Sequence, residues 1–417
     1  MARRRHPHPI EHSILITATL CLLAVGAVMV FSASSSKSLL SGQGDGTSFM
    51  VRYVIYGAVG FGVMQLIARR GLDLILKATQ PLLFGSFVCL LLVKTPLGVN
   101  VNGATRWLGA GPLVFQPSEI MKLALVLYAA KLLAERPKIL TRPQFLMPLG
   151  VVAGSAVLLI ASQPDLGTAL VISFTMAAML VAAGMPIRWL LTAIAVGGFL
   201  VFVFAMAEPY RRDRLMSFMD PWAHAGDAGF QAVQGQIALG SGGLHGRGLG
   251  QSLQKNLFLP EAHTDFILAI VGEELGVIGV WGILFLYGLV AYAGLRVAKN
   301  ARGTYAKLLA AGITSLFLSQ AMLNVFTVLG LAPLTGVPLP FISYGSTNLI
   351  VLLIGMGVLL NVAAGGNVKL RAVPEPDVAG SRRNGGNSRN GSNSPHRGGR
   401  HGGARRAGAG GRRRAAS

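Results

Sequence analysis

The sequence predicts an all-α, polytopic integral membrane protein with about ten transmembrane helices, both termini in the cytoplasm and one large extracellular loop between spans seven and eight. Three observations predict it. Of 417 residues 52% are hydrophobic and only 13% charged, with a mean hydropathy of +0.56, a balance that a water-soluble globule does not reach. Apolar runs, most of them near the about 17–25 residues that carry a helix across about 30 Å of hydrocarbon, recur at 13–32, 51–68, 79–94, 117–134, 146–161, 167–184, 188–207, 266–297, 308–330 and 346–364. Basic residues fall in alternate connections, as at Arg3–Arg5, Arg69–Lys77, Arg136–Arg142, Arg188 and Lys299–Lys307, which the positive-inside preference assigns to the cytoplasm.

Taken in order, the first run follows "MARRR" and precedes "SASSS", a pattern that mimics a secretory signal. Nine further spans make an uncleaved helix the better reading. Cys21 and Cys89 fall inside spans one and three, where small buried apolar side chains are expected rather than a disulfide or metal pair. Spans 79–94 and 146–161 are short and 266–297 is long, so the count carries a margin of one or two. Two outer connections, 95–116 and 208–264, are long enough to carry function. Within the second, Leu215, Met216, Phe218, Met219 and Trp222 suit the apolar side of a short helix on the membrane surface. The third, "LAPLTGVPLPFISYG" at 331–345, has three prolines and no charge, and reads as a re-entrant or extended segment buried by its neighbours.

Three regions follow: a basic cytoplasmic N-terminus, 1–12; a transmembrane domain, 13–366; and an Arg/Gly-rich cytoplasmic tail, 367–417, too poor in apolar residues to fold. The formal net charge is +21, and residues 366–417 carry twelve Lys/Arg against Glu375 and Asp377. The excess is thus a tail property that suits anionic membrane lipids, and no nucleic-acid partner is expected.

The ionisable residues of the domain carry its chemistry. Asp265 stands in "LPEAHTDFILAIVGEELG", at the entry to span eight. A continuous helix from there to Arg296 would be roughly 46 Å long, placing Asp265 at or above the lipid headgroups. On such a helix Glu273 lies about 80° around the axis from Asp265, and Glu274 on the opposite face. Helix capping by Thr264 or Asp265 is the competing reading. Glu274 is either a buried carboxylate paired with a hydroxyl or cation, or a functional intramembrane acid. Glu119 and Lys122 are three apart, forming an ion pair or, with Arg106, presenting cationic charge to an outer cavity. "SQPDLGTAL" brings Gln163 and Asp165 to the same side, with capping of span six as the alternative for Asp165. Arg211, Arg212, Arg214, Arg247 and Lys255 run against the charge bias and suggest something anionic outside. "GRGLG" (246–250) is weak as a phosphate loop, and the spacing of His224, His245 and His263 does not suggest a metal site. This inventory suits a lipid-linked phosphate or pyrophosphate substrate: a carboxylate takes a proton from an attacking hydroxyl, while cations or a divalent metal stabilise the leaving group.

Five blocks, "NGATRWL", "FQPSEIMKLAL", "QPDLGTAL", "GLGQSLQKNLFLPEAHTDFILAIVGEELG" and "PLTGVPLPFISYGSTN", resemble in order the SEDS family (shape, elongation, division and sporulation) over roughly residues 13–366. The resemblance implies a bacterial cytoplasmic-membrane peptidoglycan glycosyltransferase that polymerises lipid II. Asp265 would be the catalytic carboxylate, deprotonating the acceptor 4-hydroxyl as undecaprenyl pyrophosphate leaves with inversion. It further implies that Arg106, Glu119, Lys122, Gln163, Asp165, His263, Glu274 and Ser343 line or support the substrate cavity. Ser346 departs from the glycine more usual there. The stretch "GLGQSLQKNLFLPEAH" looks more like division-type than elongation-type members, which implies the septum, other division proteins and a class B penicillin-binding protein as partner. Magnesium or manganese is an optional cofactor on this reading, with no metal ligands assigned. A lipid II flippase and a non-catalytic division scaffold are the rival readings.

Overall fold

The computed structural model describes residues 9–40, 47–101, 104–110, 113–136, 146–206, 216–227, 229–255, 259–366 and 368. Arg3–Arg5, Lys138, Arg142, Arg211, Arg212, Arg214, Leu215 and the tail from 369 lie outside the described residues. Helices stand at all ten predicted positions: α1 (Ile10–Leu40), α2 (Thr47–Arg69), α3 (Leu72–Leu92), α4 (Pro117–Glu135), α5 (Met147–Ala161), α6 (Leu166–Ala183), α7 (Ile187–Met206), α9 (Ile267–Asn300), α10 (Thr304–Val328) and α11 (Ser346–Ala363), with α8 (Phe230–Gly242) in the large outer loop. Among the described residues, seven of them, α1, α2, α3, α6, α9, α10 and α11, are long and apolar enough to cross a membrane. By contrast, α5 has only 15 residues, and α4 carries Glu119, Lys122, Lys131 and Glu135.

Burial separates centre from periphery. The apolar stretches of α10 and α11 are 72% and 83% buried, against 17% in α2, so α10 and α11 form the centre together with α4, whose buried positions run all round its axis. Helices α2 and α9 turn Val54, Ile55, Val59, Trp281 and Phe285 outward, as lipid-facing surfaces require. Lipid is as apolar as leucine, so helices there associate by close packing at small residues. The α2–α11 seam shows this: a Cβ on Gly357 would stand 2.6 Å from the Met64 carbonyl oxygen.

Three expectations need correction. The all-α reading provided no strands, yet the connection after α3 forms a three-stranded antiparallel sheet, β1 (Gly98–Val101), β2 (Ala104–Ala110) and β3 (Leu113–Phe115), in that order. Val99 stands opposite Trp107 and Gly109 opposite Val114. The sequence Asn102-Gly103 between the first two strands is a strong short-range hairpin signal. The all-α class holds for the spans, and the sheet is an outer addition.

The second correction concerns α9, which is broken at Gly276 (φ 70, ψ −167), a conformation essentially restricted to glycine. The 46 Å rod therefore does not exist. Its C-terminal arm, 277–300, spans about 36 Å and suffices alone to cross hydrocarbon. The loop after α8 satisfies the backbone opened by the break: Val277 N donates to Gly243 O (3.0 Å), Arg247 N to Glu273 O (3.0 Å) and Gly248 N to Glu274 O (3.0 Å). The N-cap of α9 is Phe266, with no side-chain cap bond, so neither Thr264 nor Asp265 caps this helix.

The third is Cys21, which is exposed rather than buried, while Cys89 is half-buried; both are free thiols. In the outer loop, 216–219 is helical and turns Met216, Met219 and Trp222 outward. Residues 333–339 are extended and 340–342 form a turn, with Leu339, Phe341 and Ile342 at most 1% exposed, while Leu331 at the segment's start is exposed. Non-helical backbone inside a membrane domain needs its carbonyls satisfied by protein. Gln320 Nε2 donates to Pro338 O (2.9 Å), Tyr287 Oη to Pro340 O (2.5 Å), and Tyr53 Oη to Phe341 O.

Candidate active site

A cavity of about 1070 Å³ opens where the sheet, the start of α4, the α5–α6 turn, the segment before α9 and the extended 331–345 segment meet. Every one of the five sequence blocks contributes to its wall, although they are spread from residue 104 to residue 348. Apart from tyrosines, the ionisable wall residues are Arg52, Arg106, Glu119, Asp165, Glu261, His263 and Asp265.

Pro117 in the first turn and the extended Gln116 before it start α4, a position where proline's missing N–H costs nothing. Asp165 is the N-cap of α6, accepting from Thr168 N (3.2 Å). It also accepts from Gln116 Nε2 (3.0 Å) and Ser118 Oγ (3.1 Å). It thus both caps and locks α4 to α6, and still borders the cavity. Arg106, on β2, donates through Nε to Gln163 O (3.1 Å) and through Nη2 to Pro164 O, pinning the sheet over the α5–α6 turn.

Beneath the wall runs a chain of polar side chains. Lys122 Nζ lies 2.8 Å from Glu119 Oε2 and donates to Gln320 Oε1 (2.8 Å), and Gln320 Nε2 donates to Asn348 Oδ1 (3.0 Å). Glu119 and Asn348 border the cavity, whereas Lys122 is 2% exposed and does not. The ion-pair reading therefore describes Lys122, which supports the wall from behind.

Asp265 is half-buried on the turn before α9 and borders the cavity. Across from it, a Cβ on Gly336 would stand 3.3 Å from Asp265 Oδ2. His263 packs its ring 4.9 Å from Phe49 and 5.8 Å from Tyr344. Burial pushes the Tyr344 hydroxyl above its ordinary pKa, although the neighbouring Arg52 pulls the other way. Ser343 is off the wall, donating to Thr264 O (2.5 Å) and accepting from Leu339 N (2.8 Å).

Two expected cavity residues lie elsewhere. Gln163 is buried and spends its side-chain amide on Leu90 O (2.8 Å). Glu274 is sealed, accepting from Ser32 Oγ (2.7 Å to each oxygen) and from Lys255 Nζ (2.9 Å), so it is the paired structural carboxylate. Lys255, expected to meet an anion outside, is buried with it. The sequence reading missed Arg52, Trp107, Gln116, Glu261 and Asn348. Arg52 had a usable signal, a lone cation inside an apolar run. Trp107, Gln116, Glu261 and Asn348 sit inside the quoted blocks. Among the described residues no group of three or more His, Cys, Asp or Glu is placed to hold a metal ion.

The FtsW/RodA/SpoVE family model, described as cell cycle protein, matches residues 12–367. The chain is 40% identical to stage V sporulation protein E of Bacillus subtilis, covering 84% of this chain and 96% of that one. It is 38% identical to a probable peptidoglycan glycosyltransferase FtsW of Geobacter sulfurreducens, covering 84% and 94%. Among solved structures, a chain from a peptidoglycan synthase complex that coordinates polymerization and crosslinking superposes with a TM-score of 0.69 at 29% identity, covering 84% of this chain and 96% of that one. The rod shape determining protein RodA of Thermus thermophilus does so at 0.63 and 27%, covering 85% and 97%.

Proposed function

We propose a mechanism from the premise that the chain belongs to the FtsW/RodA/SpoVE family of cell cycle proteins. It is an integral membrane peptidoglycan glycosyltransferase, and we infer that the cavity is its active site, with lipid II as substrate and Asp265 as the base. The observation carrying this is convergence: five separated blocks build one cavity, and Asp265 enters it from a turn facing a residue with no side chain. Asp265 removes the proton of the acceptor sugar's 4-hydroxyl. The freed oxygen attacks the donor's anomeric carbon from the face opposite the pyrophosphate. The carbon–oxygen bond to pyrophosphate breaks, undecaprenyl pyrophosphate leaves with the electron pair, and the anomeric centre inverts.

Arg52 and Arg106 are the cationic wall residues among those described and suit the charge growing on the leaving group. Two of Arg106's five N–H donors are committed to the turn at Gln163 and Pro164, which preorganises the rest. A divalent cation, where used, would be held by Asp265 and would offset charge on the leaving group, and no step above depends on it. Division rather than elongation is favoured by "GLGQSLQKNLFLPEAH", with a septal location, cytoplasmic termini and a class B penicillin-binding protein as partner. The likeness to a chain of a polymerising and crosslinking complex supports that partner class.

The test is glycan polymer formation from purified lipid II by the protein reconstituted with its class B partner. Wild type should polymerise and Asp265→Ala should fall at least about 100-fold, the lower range of general-base catalysis. Equal rates would remove Asp265 from catalysis. No polymer from either, with lipid II translocation intact, would favour the flippase.

A further inference from the structure

Three successive carbonyl oxygens of the turn carrying Asp265 are each held by a different donor. Tyr344 N donates to His263 O (3.0 Å), Ser343 Oγ to Thr264 O (2.5 Å) and Asn324 Nδ2 to Asp265 O (2.8 Å). The third is unlike the others. Asn324 Nδ2 also donates to Val337 O (2.7 Å), so one amide joins the main chain of Asp265 to the extended segment. Its next residue back, Gly336, is the one whose Cβ would stand 3.3 Å from the Asp265 carboxylate. Asn324 belongs to α10, is 1% exposed, and lies 59 positions from Asp265.

The orientation of this amide is determined by its partners. Turning it over would set Oδ1 against two carbonyl oxygens, which cannot donate. As placed, Oδ1 is buried with no hydrogen-bond partner, an unfavourable state that an apolar side chain of similar size would avoid. What the amide adds is therefore confined to the two carbonyls it holds.

We propose that Asn324 is a positioning residue for glycosyl transfer: its amide sets the separation between the Asp265 carboxylate and the Gly336–Val337 wall, and so the place where the acceptor hydroxyl meets its base. The inference rests on the glycosyltransferase reading with Asp265 as base. Misplacing a reacting group by about 1 Å can cost 100-fold in rate, so the effect should appear in turnover rather than in substrate capture.

Polymerisation kinetics with lipid II should be measured on the protein with its class B partner, for wild type, Asn324→Asp, Asn324→Leu and Asp265→Asn. Thermal unfolding is recorded for each. Asn324→Asp keeps the shape but loses both donations when ionised. The expected result is a kcat at least tenfold lower with the KM for lipid II within twofold, in protein that remains folded at the assay temperature. A kcat within twofold of wild type, or a loss confined to KM, overturns the proposal. If Asn324→Asp does not fold, Asn324→Leu decides, because it removes both donations without burying a charge or an unpaired oxygen. The same turnover-specific loss supports the proposal, and wild-type kcat overturns it. An inactive Asp265→Asn beside a normal Asn324→Asp sinks only this inference, whereas an active Asp265→Asn sinks the catalytic reading beneath it.

Discussion

Asp265 and the Glu273–Glu274 pair stand within nine residues of one another, yet the fold treats them in opposite ways. Asp265 is half-buried at the edge of a large cavity. Glu273 and Glu274 are 1% and 0% exposed and surrounded by donors. Glu273 accepts from Ser252 Oγ (2.5 Å), Leu253 N (3.0 Å) and Gln254 N (3.3 Å), and Glu274 accepts from Ser32 and Lys255. A carboxylate enclosed by donors fastens chain segments together, here α1, α9 and the loop after α8. A carboxylate at the edge of a cavity, on a turn whose carbonyl oxygens are held by three donors, is placed to exchange a proton.

Substitutions can break that contrast, and stability should rank them. Glu274→Ala leaves Lys255 buried and unpaired, which should cost about 3–5 kcal/mol. Pairing it with Lys255→Met should recover much of the loss, a coupling that unfolding of single and double variants in detergent would measure. Ser252→Ala removes a hydrogen bond to a buried carboxylate and should cost about 1.5–3 kcal/mol, read as a smaller fall in the same unfolding midpoint. Asp265→Asn should abolish polymer formation while costing less stability than Glu274→Ala. A large destabilisation there, or retained stability in Glu274→Ala, would mean that the two acids do not divide the work in this way.

The spans were legible because a membrane-crossing helix must be a long apolar run, and each run became a helix. Asp165 was legible as a cap for a local reason, since its partner Thr168 is three residues away. The break at Gly276 was not, because glycines abound in α9 and only its pairing with Gly243–Gly248, far back in the chain, singles one out. Glu274 was assigned to the cavity because its partners, Ser32 and Lys255, come from segments that only the fold unites. Asn324 has the same history: an ordinary polar residue in an apolar helix until the fold brings two carbonyls to it. The hairpin carried its signal in Asn102-Gly103, but strands of three to seven residues are faint beside ten apolar spans.

The interruption at Gly276 also bears on how the protein lives in bilayers of unequal thickness. A rigid helix running from the cytoplasm to Asp265 would convert any hydrophobic mismatch, which helices commonly relieve by tilting, into displacement of its outer end. Here the lipid-crossing arm ends at a glycine hinge, and the residues beyond it are tied to α1, α10 and the extended segment. A tilt of the arm is therefore not carried to the turn bearing Asp265 by one continuous helix.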